Sequence, residues 1–173
     1  MKRFLTTMAL AAASYGAAHA QAGSFCEAVN AIMKDAPNDF KNIMGRQMQA
    51  NMNASMWASS IKIPGTIGYR IVQAMGLFYE GALIQTPDKD KLPPVYEEYK
   101  KKLSDCLTPL GYKMTLQENV VAGLGDLKKV VFMKDVEEYK EGANIKDLPP
   151  HITMEATYNK EGGFTIVIFI FQH

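Results

Sequence analysis

The last strand-length segment of the chain, Phe164-Thr165-Ile166-Val167-Ile168-Phe169-Ile170-Phe171, is apolar at both alternating sets of positions, Thr165 excepted. Successive side chains of a strand point to opposite faces of its sheet. An antiparallel strand with one wet face therefore alternates apolar and polar residues, and this one does not. The pattern predicts a central strand in a sheet covered on both sides. Helices can cover one side; loops, a second subunit or a ligand must cover the other. We read Ile166, Ile168 and Ile170 as the candidate ligand or partner face, because a contiguous apolar patch marks an interaction site.

Two segments supply the helices. Ser24-Phe25-Cys26-Glu27 has the form of a capping box, in which the Ser24 hydroxyl and the Glu27 carboxylate each take a backbone N–H. Phe25, Val29, Ile32, Met33 and Ala36 follow at helical spacing, and Pro37 ends the run. Asn38 or Asp39 can cap a further turn or two carrying Phe40, Ile43 and Met44, with Gly45 as the stop. Pro93-Pro94 suits the first turn of a second helix. There Leu92, Val95, Tyr96, Tyr99, Leu103, Cys106, Leu107 and Leu110 trace one stripe, and Lys100, Lys101, Lys102 and Asp105 fill the opposite side. Glu97 and Glu98 come early and the lysines late, in accord with the helix dipole. Gly111 closes the helix.

The remaining periodic segments read as strands. Trp57, Ser59, Ile61 and Ile63 share one face of an extended run. Ile63-Pro64-Gly65-Thr66 fits a type II turn, and Ile67, Tyr69 and Ile71 alternate beyond it, which predicts a hairpin. Leu77 to Ile84, Lys113 to Ala122, Lys128 to Lys134, Ile152 to Tyr158 and Phe164 to Gln172 complete the set, the last two as a hairpin. Residues 136–150 form a charged connection. The expected fold is α+β: two or three helices packed on one face of a mainly antiparallel sheet of five to seven strands. An outer-membrane barrel needs at least about eight strands, so that architecture is set aside.

Cys26 falls in the first helix and Cys106 on the apolar face of the second, so a disulfide between them would clamp the two together. It would close a loop of about 80 residues, for which chain entropy gives about 4 kcal/mol. A catalytic or metal-binding thiol finds no CxxC and no flanking histidine in support. The disulfide needs an oxidising compartment, and the N-terminus supplies a route to one. Lys2 and Arg3 precede an apolar stretch from Phe4 to Ala13, and Ala18-His19-Ala20 presents small residues to a signal peptidase. This is the layout of a bacterial secretory leader cleaved near Ala20. Residues 1–20 are then the leader and residues 21–173 a single α+β domain, periplasmic or secreted. Phe25 before Cys26 does not fit a lipoprotein site, and no segment reaches transmembrane length.

Charge and motifs exclude more than they assign. The chain holds 19 Lys plus Arg against 18 Asp plus Glu, so no long-range field steers it to nucleic acid or anionic lipid. No GxSxG, HExxH, P-loop or GxGxxG occurs. Met44, Met48, Met52 and Met56 recur every fourth residue, which on a helix would gather them on one stripe; thioethers in an exported protein are soft ligands suited to Cu(I), while a half-buried helix or loop packing these methionines explains the same pattern. Adaptable core packing is the ordinary use of methionine. His151 could share a strand face with Glu155. No catalytic residue and no cofactor is read from the sequence. The expected function is an exported, soluble, non-catalytic binding or interaction domain for a protein partner or a small apolar ligand, with homodimerisation as one form of partner. The alternatives are a hydrolase or other enzyme without a readable motif, and a methionine-based Cu(I) binding protein.

Overall fold

A computed structural model describes residues 24–50, 54–74, 76–118, 124, 127–135, 148–160 and 162–172. The expected leader, Met52, the end of the strand read to Ala122 and most of the connection at 136–150 lie outside the described residues.

The first helix, α1 (Phe25–Asp35), starts on the expected capping box: the Ser24 amide donates to Glu27 Oε2 at 2.6 Å and the Glu27 amide to Ser24 Oγ at 3.3 Å. It buries Ala28, Val29, Ile32 and Met33. Beyond Pro37 the expected helical turns toward Gly45 do not form. A short 3-10 turn at Ala36–Asn38 gives way to a chain reversal in which Asp39 and Phe40 both adopt positive φ. The buried Asp35 carboxylate holds that reversal. It accepts from the amides of Asn42 (3.0 Å) and Ile43 (3.2 Å) and from Asn42 Nδ2 (2.6 Å). These bonds direct Phe40 fully into the core and launch a strand at Met44.

Four strands follow as a meander: β1 (Met44–Ala50), β2 (Ser55–Ser59), β3 (Gly68–Gln73) and β4 (Leu77–Thr86). The helix α2 (Leu92–Leu107) comes next, and then a second meander of β5 (Tyr112–Gln117), β6 (Lys129–Lys134), β7 (His151–Asn159) and β8 (Gly163–Phe171). All eight strands form one antiparallel sheet in the order β1-β2-β3-β4-β8-β7-β6-β5. Among the described residues the fold is α+β with two α-helices, as expected, but with eight strands rather than five to seven. The added strand is β1, whose residues the methionine spacing assigned to helix or loop. Each half of the chain is thus a helix followed by a four-strand meander, and the halves join through their last strands, β4 and β8. The sequence carries no internal repeat to announce this. Strand number no longer argues against a barrel; among the described residues β1 and β5 are the two end strands and do not pair with each other.

The turn at Pro64-Gly65 forms as expected: the Thr66 amide donates to Ile63 O at 3.1 Å and Gly65 has φ +91°. The strand before it stops earlier than expected. β2 ends at Ser59, and residues 61–66 leave the ladder so that Ile63 enters the core. Tyr79 anchors this excursion, its hydroxyl accepting from the Ile63 amide and donating to Ile61 O, both at 3.4 Å. Burial pushes the Tyr79 phenol well above its ordinary value.

Helix α2 buries Leu92, Tyr96, Tyr99, Leu103, Cys106 and Leu107 of the stripe read from its periodicity; Val95 is half-buried, and Leu110 stands exposed in a 3-10 turn, Thr108–Leu110, that follows the helix. Its outer side carries the pairs Lys100–Glu97, Lys101–Asp105 and Lys102–Glu98 at helical spacing. Cys26 and Cys106 are joined by a disulfide with Cα atoms 5.2 Å apart, so the two helices are clamped as expected. No helix among the described residues is long and apolar enough to cross a membrane.

Candidate functional site

The strand register sorts every central side chain onto one of two faces, because directly paired residues of an antiparallel ladder point the same way. One row runs Ile71, Tyr79, Ile170, Ile152, Phe132 across five strands. A neighbouring row runs Gly81, Ile168, Met154, Val130. Both rows are buried in one cluster with the apolar residues of α1 and α2. Ile166, Ile168 and Ile170, the candidate ligand or partner face, belong to this side. They have no exposed surface and pack beneath the helices. The side of β8 turned away from the helices carries Thr165, Val167, Phe169 and Phe171.

That second face divides into two zones. The first is aromatic. Phe171 stands beside Phe78 and His151, and Phe169 lies between Glu80 and Thr153. The Phe78 ring centroid is 5.7 Å from Phe169 and 5.2 Å from Phe171, and the His151 ring stacks on Phe171 at 4.8 Å. The three phenylalanines are half-buried. Val72, Val131 and Val167 are buried on this same face, yet none belongs to the cluster that contains the helices. The Thr153 hydroxyl is buried among these apolar neighbours with no hydrogen-bond partner among the described residues.

The second zone is a groove of about 590 Å³ across β3, β4, β7 and β8. The small side chains of Ala82 and Val167, paired across the β4–β8 ladder, leave its floor low. Polar residues rise around them. Arg70 Nη2 donates to Glu80 Oε1 at 2.7 Å, while Arg70 Nε is buried with no partner among the described residues. Gln85, Thr157 and Thr165 stand on the opposite wall. The volume falls within the range of small-molecule sites, and the lining mixes apolar floor with a few convergent polar groups. The cation and the anion of the wall neutralise each other, so nothing here selects a strongly charged ligand.

Met44, Met48 and Met56, the described members of the series, do not form a stripe. Met44 starts β1 and packs against the core, Met48 stands 61% exposed in the same strand at the rim of the groove, and Met56 lies in β2 opposite Gln49. Four-residue spacing gathers side chains on a helix, and this segment is a hairpin whose β1–β2 register shifts twice. Among the described residues no group of three or more His, Cys, Asp or Glu could hold a metal ion. His151 and Glu155 do share a strand face, but Glu155 is paired with Lys129 at 3.3 Å.

Phe78, Val72, Arg70 and Gln85 were not among the sequence-read candidates. Their signal was present in part: Glu80 inside the apolar run 77–84 marks its own side of β4 as the one away from the helices. Placing Phe169 beside it required the β4–β8 pairing, a contact of residues far apart in sequence. No family model, curated protein or solved structure matches this chain.

Proposed function

We propose that the chain is an exported, non-catalytic binding module that holds a protein partner or a small apolar ligand on the helix-free face of its sheet. The observation that carries this reading is the Phe78–Phe169–Phe171 cluster. A solvated antiparallel face presents polar residues between the core-facing ones; this one presents three phenylalanines at the centre of the sheet. Covering such rings releases about 25 cal/mol per Å² of apolar area removed from water, which favours an occupant over bare solvent. The adjoining groove adds orientation: Arg70, Gln85, Thr157 and Thr165 offer donors and acceptors beside the apolar strip. The Cys26–Cys106 disulfide supports an oxidising, extracytoplasmic location, in keeping with the leader read at residues 1–20.

The test is a titration with an environment-sensitive apolar dye, an anilinonaphthalene sulfonate. The native protein should give one saturable site. The double variant Phe78→Gln, Phe169→Gln should weaken it at least about tenfold while far-UV circular dichroism stays unchanged. Absence of saturable binding, or binding indifferent to the two substitutions, contradicts the proposal.

A further inference from the structure

Of the eight large apolar side chains exposed among the described residues, four gather at one edge of the sheet: Leu110, Met114, Leu116 and Met133. Leu110 lies just ahead of β5, Met114 and Leu116 project from it at 42% and 50% exposure, and Met133 stands opposite Lys113 on β6. Among the described residues β5 pairs with β6 alone, so one side of its backbone has no strand against it there. Edges of this kind are templates for another strand, and proteins blunt them with bulges or charges. The opposite edge, β1, is blunted: its pairing shifts register between Met44 and Gln47 and again between Gln47 and Gln49. The β5 ladder runs from Tyr112 to Gln117 without a shift. Its one charged residue is Lys113, a type that guards edges, but Asp135 of the same chain holds the Lys113 ammonium.

We propose that β5 is the strand through which two copies of this chain pair, antiparallel about a two-fold axis at Thr115. An isologous contact must bring the strand against itself, and this strand is self-complementary. Thr115 faces Thr115 of the second copy, Met114 faces Leu116, and Lys113 faces Gln117. The apolar pair occurs twice by symmetry, and no like charges meet. Backbone bonds supply the join, and Met114 and Leu116 of each copy are shielded by it. The pairing uses the rim of the sheet and leaves the aromatic face free, so it stands apart from the binding proposal.

Sedimentation equilibrium on the purified protein, disulfide intact, should show a reversible monomer–dimer equilibrium. Leu116→Lys, at a half-exposed position, should weaken it at least about tenfold, with the thermal melt unchanged at concentrations where both proteins are monomeric. Thr115→Cys should give a disulfide-linked dimer under mild oxidation, and Lys113→Cys should not, because its counterpart is Gln117. The cysteine variants keep the test valid if the lysine variant fails to fold. A monomer at every concentration overturns the proposal. So does a dimer that Leu116→Lys leaves intact, or one that Thr115→Cys fails to trap.

Discussion

Gly65 shows how tightly single residues are set in this protein. It sits at φ +91° in the turn after Pro64, and a Cβ there would lie 1.7 Å from the Tyr99 hydroxyl oxygen. Gly65→Ala combines a left-handed backbone with a clash against a buried ring, and should cost about 3 kcal/mol, read as a lower urea midpoint at constant m. Asp35 is a second such point. Removing its carboxylate strands two backbone amides, so Asp35→Ala should lose about 3 kcal/mol in the same assay. The phenol of Tyr96 donates to Lys128 O at 2.6 Å and burial pushes it up to about 12. An unfolded tyrosine titrates near about 10. Below that pH both states hold the proton and stability is intact; between about 10 and about 12 only the unfolded state releases it, so stability falls as pH rises. Melting temperatures from pH 9 upward should therefore decline less steeply in Tyr96→Phe than in the native protein. The turn glycine was legible in sequence, since Pro-Gly has one natural geometry. The Asp35 anchor was not, because its partners lie beyond a reversal that only Phe40's burial explains.

Elements differ in legibility for the same physical reason: how much of each pattern is local. Helix α2 carries its own amphipathic stripe and first-turn prolines, and its start at Leu92 follows from them, whereas it ends at Leu107 and a 3-10 turn fills the stretch before Gly111. β8 carries continuous apolar character, and its central place was readable. β1 carries neither signal. Six of its seven residues are exposed, so no alternation was selected, and Met, Arg, Gln and Ala are good helix formers. Pairing with β2 overrides that propensity. The disulfide belongs to this scale, since it fixes α1 to α2 and not to the sheet. Replacing Cys26 and Cys106 by Ser should lower stability by about 4 kcal/mol, the cost expected for reopening so long a loop. Calorimetry of that double variant against the oxidised protein checks it. A loss near zero would mean that helix packing alone holds the pair.

For the whole molecule, the arrangement of two helix-plus-meander halves leaves one sheet face under clamped helices and the other without them. The residues of β8 divide accordingly, Phe164 and the isoleucines inward, Val167, Phe169 and Phe171 outward. Sequence alone showed that both sets were apolar, but it could not say which set met the helices, since that depends on the β4–β8 and β7–β8 registers. The binding proposal is a statement about the outward set, and methyl-resolved NMR distinguishes the two sets directly. Titration with a medium-chain fatty acid such as decanoate, as an apolar probe, should shift the methyls of Val72, Val131 and Val167 with one common saturation curve. The methyls of Ile166, Ile168 and Ile170 should stay in place. Shifts centred on the isoleucines, or no saturable shift at the valines, would contradict the account.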